Sequence, residues 1–147
     1  MATILLPPDF KEFLKLLNSS EVDYLLIGGY AVNYYGYPRA TADMDIWIGI
    51  DPGNSQKMAA VLNDFGFPQA EEKIFRETGK IIRMGVPPLR IEVLTSISGV
   101  EFLQAFPRRT RVNLDGVPVN LISLDDLKAN KRMSGRLKDL ADLEQLE

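Results

Sequence analysis

Asp43 and Asp45 stand on either side of Met44 at the head of an alternating, β-forming run that continues to Ile50. On a strand, side chains two residues apart project from one face. The two carboxylates therefore share a face with Trp47, while Met44, Ile46 and Ile48 turn into the core. Carboxylates held that close repel, and each raises the other's proton affinity unless a cation lies between them. The chain contains neither histidine nor cysteine, so the donors at hand are oxygens, the chemistry of Mg²⁺ or Mn²⁺ and not of zinc. A strand with one solvated face has the same spacing, and the pair alone leaves both readings open.

Glu92 sits in the run Leu89-Arg-Ile-Glu-Val-Leu94, a second strand pattern whose Ile91 and Val93 point away from it. It is a candidate third ligand, or a rim glutamate paired with Arg90. Gly28-Gly29 closes the apolar run Val22 to Ile27 and precedes a helix. Small residues there allow close backbone approach, and free amides can cradle a phosphate, although turn chemistry alone also places glycines in this way. Lys131, or Lys128 one turn earlier, can bring positive charge to a leaving group or lie solvated on its helix. Arg39 can meet a phosphate or face solvent. Arg108, Arg109 and Arg111 cluster on a predicted strand, either as a basic patch for an RNA end or acidic partner or as an exposed charged edge. Met84, Tyr34, Tyr35 and Tyr37 read as packing groups.

Elements with clear signals hold these side chains. Behind the Pro7-Pro8 breaker, Asp9 is the expected N-cap of a helix to Asn18, with Phe10, Phe13, Leu14 and Leu17 at helical spacing. The strand Val22 to Ile27 delivers the chain into Gly28-Gly29 and a helix over Tyr30 to Tyr35, ended by Gly36 and Pro38. After the acidic strand, Met58, Val61, Leu62 and Phe65 mark a helix from Ser55 that Gly66 stops. Ile74 to Arg83 and Leu89 to Leu94 are expected strands, and Val100 to Phe106 a short helix. Arg108 to Leu114 and Val117 to Leu121 form a hairpin turning on Asp115-Gly116. Ser123 opens a helix over Leu124 to Met133, which Ser134-Gly135 breaks before a last helix, Arg136 to Leu146. No repeat, low-complexity tract or linker interrupts the pattern. Residues 1–147 read as one α+β domain, a mixed sheet flanked by helices, with helices at the C-terminus.

Composition narrows the function classes. A chain of 147 residues, 46% hydrophobic and 25% charged, is long enough to bury a core of its own. The lack of cysteine excludes a disulfide framework and thiolate metal sites, and fits the reducing cytoplasm. No apolar run reaches the roughly 20 residues that cross a bilayer, and the opening residues lack the basic stretch of a signal peptide, so no membrane association is expected. A net charge of −3 with a pI near 5.1 denies the chain a broad positive field for tight nonspecific nucleic-acid binding. Neither a P-loop nor a dinucleotide-binding glycine motif is present.

The joint order is an apolar strand, Gly28-Gly29, a short helix, Arg39-Ala-Thr41-Ala-Asp43-Met-Asp45-Ile, and later a strand bearing Glu92. It resembles the signature of the nucleotidyltransferase superfamily of the DNA polymerase β type, in which a Gly-Gly or Gly-Ser turn precedes paired aspartates on a strand and a third acid follows on another. The likeness is to small prokaryotic members, including abortive-infection toxin transferases and antitoxin-like minimal nucleotidyltransferases, and runs over about residues 22–142. The resemblance implies a nucleotidyltransferase fold, with Gly28 and Gly29 on the triphosphate and Arg39, Thr41 and Lys131 also serving the nucleotide. It implies that Asp43 and Asp45 bind both metal ions and that Glu92 completes the second site, the ions being Mg²⁺ or Mn²⁺. The implied activity moves a nucleoside monophosphate from a nucleoside triphosphate, ATP foremost, to a hydroxyl on a protein or RNA. A toxin or antitoxin partner or a second copy of the chain would supply acceptor selection. Two other classes stay open: an antitoxin-like nucleotide-binding module with little or no catalysis, and a structural domain with an acidic strand.

Overall fold

The computed structural model describes residues 4–36, 41–67, 71–86 and 89–146. Helix α1 (Pro8–Ser19) starts with Pro8 in its first turn, where proline's missing N–H costs nothing. Asp9, expected as the N-cap, lies instead inside the first turn, and the cap position falls on Pro7. The buried strand β1 (Tyr24–Ile27) runs straight into α2 (Gly28–Tyr35), so the two glycines belong to the helix and not to a turn before it. Strand β2 (Asp43–Ile48) follows, then α3 (Pro52–Phe65), capped by Asp51 Oδ2 accepting from the Asn54 amide at 3.0 Å and closed by Gly66 at φ 106°.

The expected strand from Ile74 to Arg83 forms only in its second half. Glu72–Arg76 is a 3-10 turn that drives Phe75 into the core, where the Phe75 carbonyl accepts from Ser55 Oγ at 2.7 Å. A tertiary contact overrides the local pattern there, and β3 covers only Ile81–Val86. Strand β4 (Leu89–Leu94), helix α4 (Phe102–Ala105) and a 3-10 turn at Phe106–Arg108 lead to the hairpin of β5 (Thr110–Leu114) and β6 (Val117–Leu121). Its turn residues Asp115 and Gly116 both have positive φ, the geometry of the tightest hairpins. Ser123 Oγ accepts from the Asp126 amide to open α5 (Leu124–Ser134), Gly135 ends it at φ 65°, and α6 (Leu137–Leu146) completes the described chain.

The six strands form one mixed sheet in the order β3-β4-β2-β1-β6-β5. β2 pairs antiparallel with β1 and parallel with β4, while β1 pairs parallel with β6. Met44, Ile46 and Ile48 are fully buried, each contributing about 1.5–3 kcal/mol. A slip of one residue would expel all three and drive the aspartates into the core, so register is strongly held. That burial fixes the carboxylates on the other face. Among the described residues no helix is long and apolar enough to cross a membrane.

Candidate active site

The register of β2 with β4 sets Asp43 opposite Arg90 and Asp45 opposite Glu92. Residues paired in register project to the same face, so Asp45 and Glu92 stand side by side, with Asp43 two residues along. All three line a cleft of about 590 Å³ together with Gly28, Gly29, Lys131 and Lys138.

β1 runs antiparallel to β2 as far as Ile27 opposite Asp45, which brings Gly28 against the Asp45 carboxylate. A Cβ at Gly28 would lie 2.1 Å from Asp45 Oδ2, and the residue has φ +69°. Close approach and left-handed backbone both demand glycine. At Gly29 a Cβ would lie 2.4 Å from Thr41 Oγ1, so this second glycine lets the start of α2 close on the chain entering β2. Neither glycine is buried. They line the cleft at the amino end of a helix, where free N–H groups and the helix dipole favour an anion.

Burial pushes the Asp45 carboxyl up from 3.8 to about 6, and the charges of Glu92 and Asp43 add to the shift against partial relief from Lys138 and Lys131. Asp43 and Glu92 are compensated differently. Asp43 Oδ2 accepts from Arg90 Nη2 at 3.1 Å, the same nitrogen lies 3.7 Å from Glu92 Oε1, and Arg83 Nε lies 3.5 Å from that oxygen. Among the described residues no three acidic side chains stand in a closed metal-holding arrangement. A guanidinium supplies the positive charge beside Asp43 and Glu92. Arg90 and Asp43 are each about a third exposed, so solvent screens the pair and keeps it weak. A divalent cation can displace that contact. The donor set fits one: three hard carboxylates on one face, with Asp45 short of positive charge.

No family model matches the chain, and a comparison with curated proteins finds no match. Solved structures do match. A candidate nucleotidyltransferase from Thermotoga maritima superposes with a TM-score of 0.64 at 13% identity, over 96% of this chain and 94% of that one. The lincosamide antibiotic adenylyltransferase LnuA, bound to lincomycin, gives 0.56 at 17%, over 98% of both chains. ANT(2")-Ia, in complex with adenylyl-2"-tobramycin, gives 0.53 at 12%, over 93% of this chain and 84% of that one. The chain has the nucleotidyltransferase fold. At these identities the likeness is one of backbone architecture, and it agrees with the α+β mixed-sheet expectation.

Within this nucleotidyltransferase fold the remaining predicted residues separate. Thr41 packs on Gly29 and its Oγ1 donates to the Asp43 carbonyl at 3.3 Å, bracing the entry to β2. Arg39 and Tyr37 lie outside the described residues. Lys131 reaches the cleft wall, but it is no solvated surface lysine. It is buried, with Nζ 3.2 Å from both Asp139 Oδ1 and Asp142 Oδ2. Burial opposes ionisation of Asp139, yet hydrogen bonds from Arg136, Ser134 and Lys131 hold its carboxyl well below the usual range. Lys138 is a cleft cation that sequence reasoning did not single out, and its charge eases Asp45 more than that of Lys131 does. Its only sequence signal is its place in the last expected helix, Arg136 to Leu146.

The basic cluster divides, with Arg109 and Arg111 lining one cavity and Arg108 turned to Asp126. Arg108 and Arg109 precede β5 instead of lying on it. Arg108 grips Asp126 through two hydrogen bonds of 3.1 and 2.8 Å, and Arg109 stacks 4.1 Å over Phe106. Tyr35 Oη donates to the Ile122 carbonyl, in line with a packing role. Trp47 shares the acidic face of β2 but is covered, with the Phe102 ring meeting it edge-on at 5.1 Å.

Proposed function

We propose that this chain is a Mg²⁺- or Mn²⁺-dependent nucleotidyltransferase acting in the cytoplasm, moving a nucleoside monophosphate from a nucleoside triphosphate, ATP foremost, to an acceptor hydroxyl. The observation that carries the reading is the contact of Gly28 with Asp45: the glycines at the head of α2 and the acidic side chains meet within one cleft. Gly28 and Gly29 would hold the triphosphate, with Arg39 and Lys138 offering further positive charge. Thr41 would keep Gly29 and the start of α2 close to β2. Lys131, neutralised by its two aspartates, would shape the wall more than it charges the leaving group.

Asp43, Asp45 and Glu92 would hold the metal ions, which when bound neutralise the phosphates and lower the barrier to attack by a hydroxyl. The acceptor oxygen forms a bond to the α-phosphorus as the bond from that phosphorus to the pyrophosphate oxygen breaks. The hydroxyl proton passes to a carboxylate of the cleft, and pyrophosphate leaves. Family resemblance implies protein or RNA acceptors; the cleft itself requires only a hydroxyl able to reach the α-phosphorus.

Incubation with α-phosphate-labelled ATP and Mg²⁺ tests the reading. Label should enter acceptor with wild type and not with Asp45→Asn. Equal incorporation by that variant would remove the acids from the mechanism. Arg90 lying between Asp43 and Glu92 supports the second reading, an antitoxin-like binding module working with a toxin partner or a second copy of the chain. Mg²⁺-dependent nucleotide binding without any transfer would favour it.

A further inference from the structure

We propose that the cavity beside the cleft, between the C-terminal end of β2 and α4, is the acceptor pocket and takes a small, positively charged molecule carrying the reactive hydroxyl. This rests on the transferase reading above. The cavity, of about 670 Å³, shares Ser96 and Ile97 with the cleft, so the two spaces adjoin. Trp47 is in its wall, two residues and roughly 7 Å along the strand from Asp45.

Strand direction assigns the two ends. Gly28 and Gly29 lie by the Asp43 end of β2, whereas the cavity opens beyond Trp47 at the other end. In-line transfer needs the nucleophile and the leaving pyrophosphate on opposite sides of the α-phosphorus. With the triphosphate on the glycines, the attacking hydroxyl must arrive from the Trp47 side. Its oxygen bonds to phosphorus there, its proton goes to a cleft carboxylate, and pyrophosphate departs toward α2.

The lining states what fits. The volume and the apolar walls of Trp47, Ile97, Val100 and Phe102 suit a small organic molecule. Asp51 and Glu101 are the charged groups in that lining, and no lysine or arginine joins them. Glu101 forms no ion pair among the described residues. Asp51 also caps α3, whereas Glu101 has no such partner among the described residues, and a lining with this charge and no cation attracts an ammonium and repels the phosphates of RNA. The buried Trp47 Nε1 also has no hydrogen-bond acceptor, and a buried donor of this kind calls for an oxygen from water or ligand. Phe102 closes the pocket over Gly49, where a Cβ would come within 2.9 Å of its ring.

Trp47 is the single tryptophan, so its emission reports this cavity directly. The probes are tyramine (cationic), 4-ethylphenol (neutral) and 4-hydroxyphenylacetate (anionic), titrated at low ionic strength. The variant Asp51→Asn/Glu101→Gln removes both charges while Asn still caps α3. Tyramine should bind wild type about tenfold more tightly than the anion, and the double variant should lose this ordering without weakening 4-ethylphenol. Equal affinities, an unchanged emission, or an ordering that survives in the variant would overturn the pocket. Label from ATP should enter tyramine; label found only in protein or RNA of a cell extract would overturn a small acceptor. Titration with Mg²⁺ and ATP on the same samples separates the two readings. Absence of nucleotide binding refutes the transferase, whereas failure of the charge ordering alone refutes only this pocket.

Discussion

Asp45→Asn keeps the size and strand position of the side chain and removes its ability to ionise. In the fold the carboxyl is pushed up from 3.8 to about 6 by burial first and then by Glu92 and Asp43. At about 1.4 kcal/mol for each factor of ten, ionisation at this site costs the folded state about 3 kcal/mol, less to the extent that the cleft admits water. The stability tied to the protonated form is fully present below 3.8 and is lost as pH rises through about 6. The variant should therefore match wild type near about pH 4 and exceed it by up to about 3 kcal/mol near about pH 8, without divalent cations. Urea unfolding followed by circular dichroism across that range, in chelator, measures the difference. Added Mg²⁺ should reverse it, stabilising wild type by mass action and the variant far less. A difference that stays flat with pH, or a wild type more stable than the variant in chelator near pH 8, would refute the idea that Asp45 is short of positive charge.

Gly28→Ala should cost about 2 kcal/mol or more, combining left-handed backbone with displacement of the Asp45 carboxylate. Denaturant unfolding should show the loss shrinking in an Asp45→Ala background, whereas strict additivity would deny the contact. Arg90→Ala should raise Mg²⁺ affinity about two- to fivefold, because the guanidinium, in a solvent-screened pair, no longer competes for Asp43. Calorimetric titration checks this, and weaker Mg²⁺ binding would contradict it. Lys131→Met leaves Asp139 and Asp142 buried without its ammonium and should cost about 3 kcal/mol, seen as a lowered urea midpoint. A change below about 0.5 kcal/mol would return Lys131 to the class of solvated surface lysines.

Local rules made part of this molecule legible in one dimension. The alternation of β2 put Asp43 and Asp45 on one face because burial of Met44, Ile46 and Ile48 forbids any other register. Asp115-Gly116 named its own hairpin, since both residues tolerate positive φ, and Ser123 capped α5 as its hydroxyl chemistry dictates. The order of Gly28-Gly29, the paired aspartates and Glu92 pointed to the architecture that the superposed structures share. Elsewhere partners distant in sequence decided the outcome. Ser55 pins Phe75 into a 3-10 turn where the local pattern favours a strand. Arg90 meets Asp43 only because β4 lies beside β2, and Lys131 loses its solvent to aspartates on the next helix. The fit of Gly28 to Asp45 and the pocket under Phe102 likewise depend on which strands become neighbours. Periodicity and turn chemistry act over a few residues, whereas charge compensation and cavities arise from distances between segments, which exist only once the chain has folded.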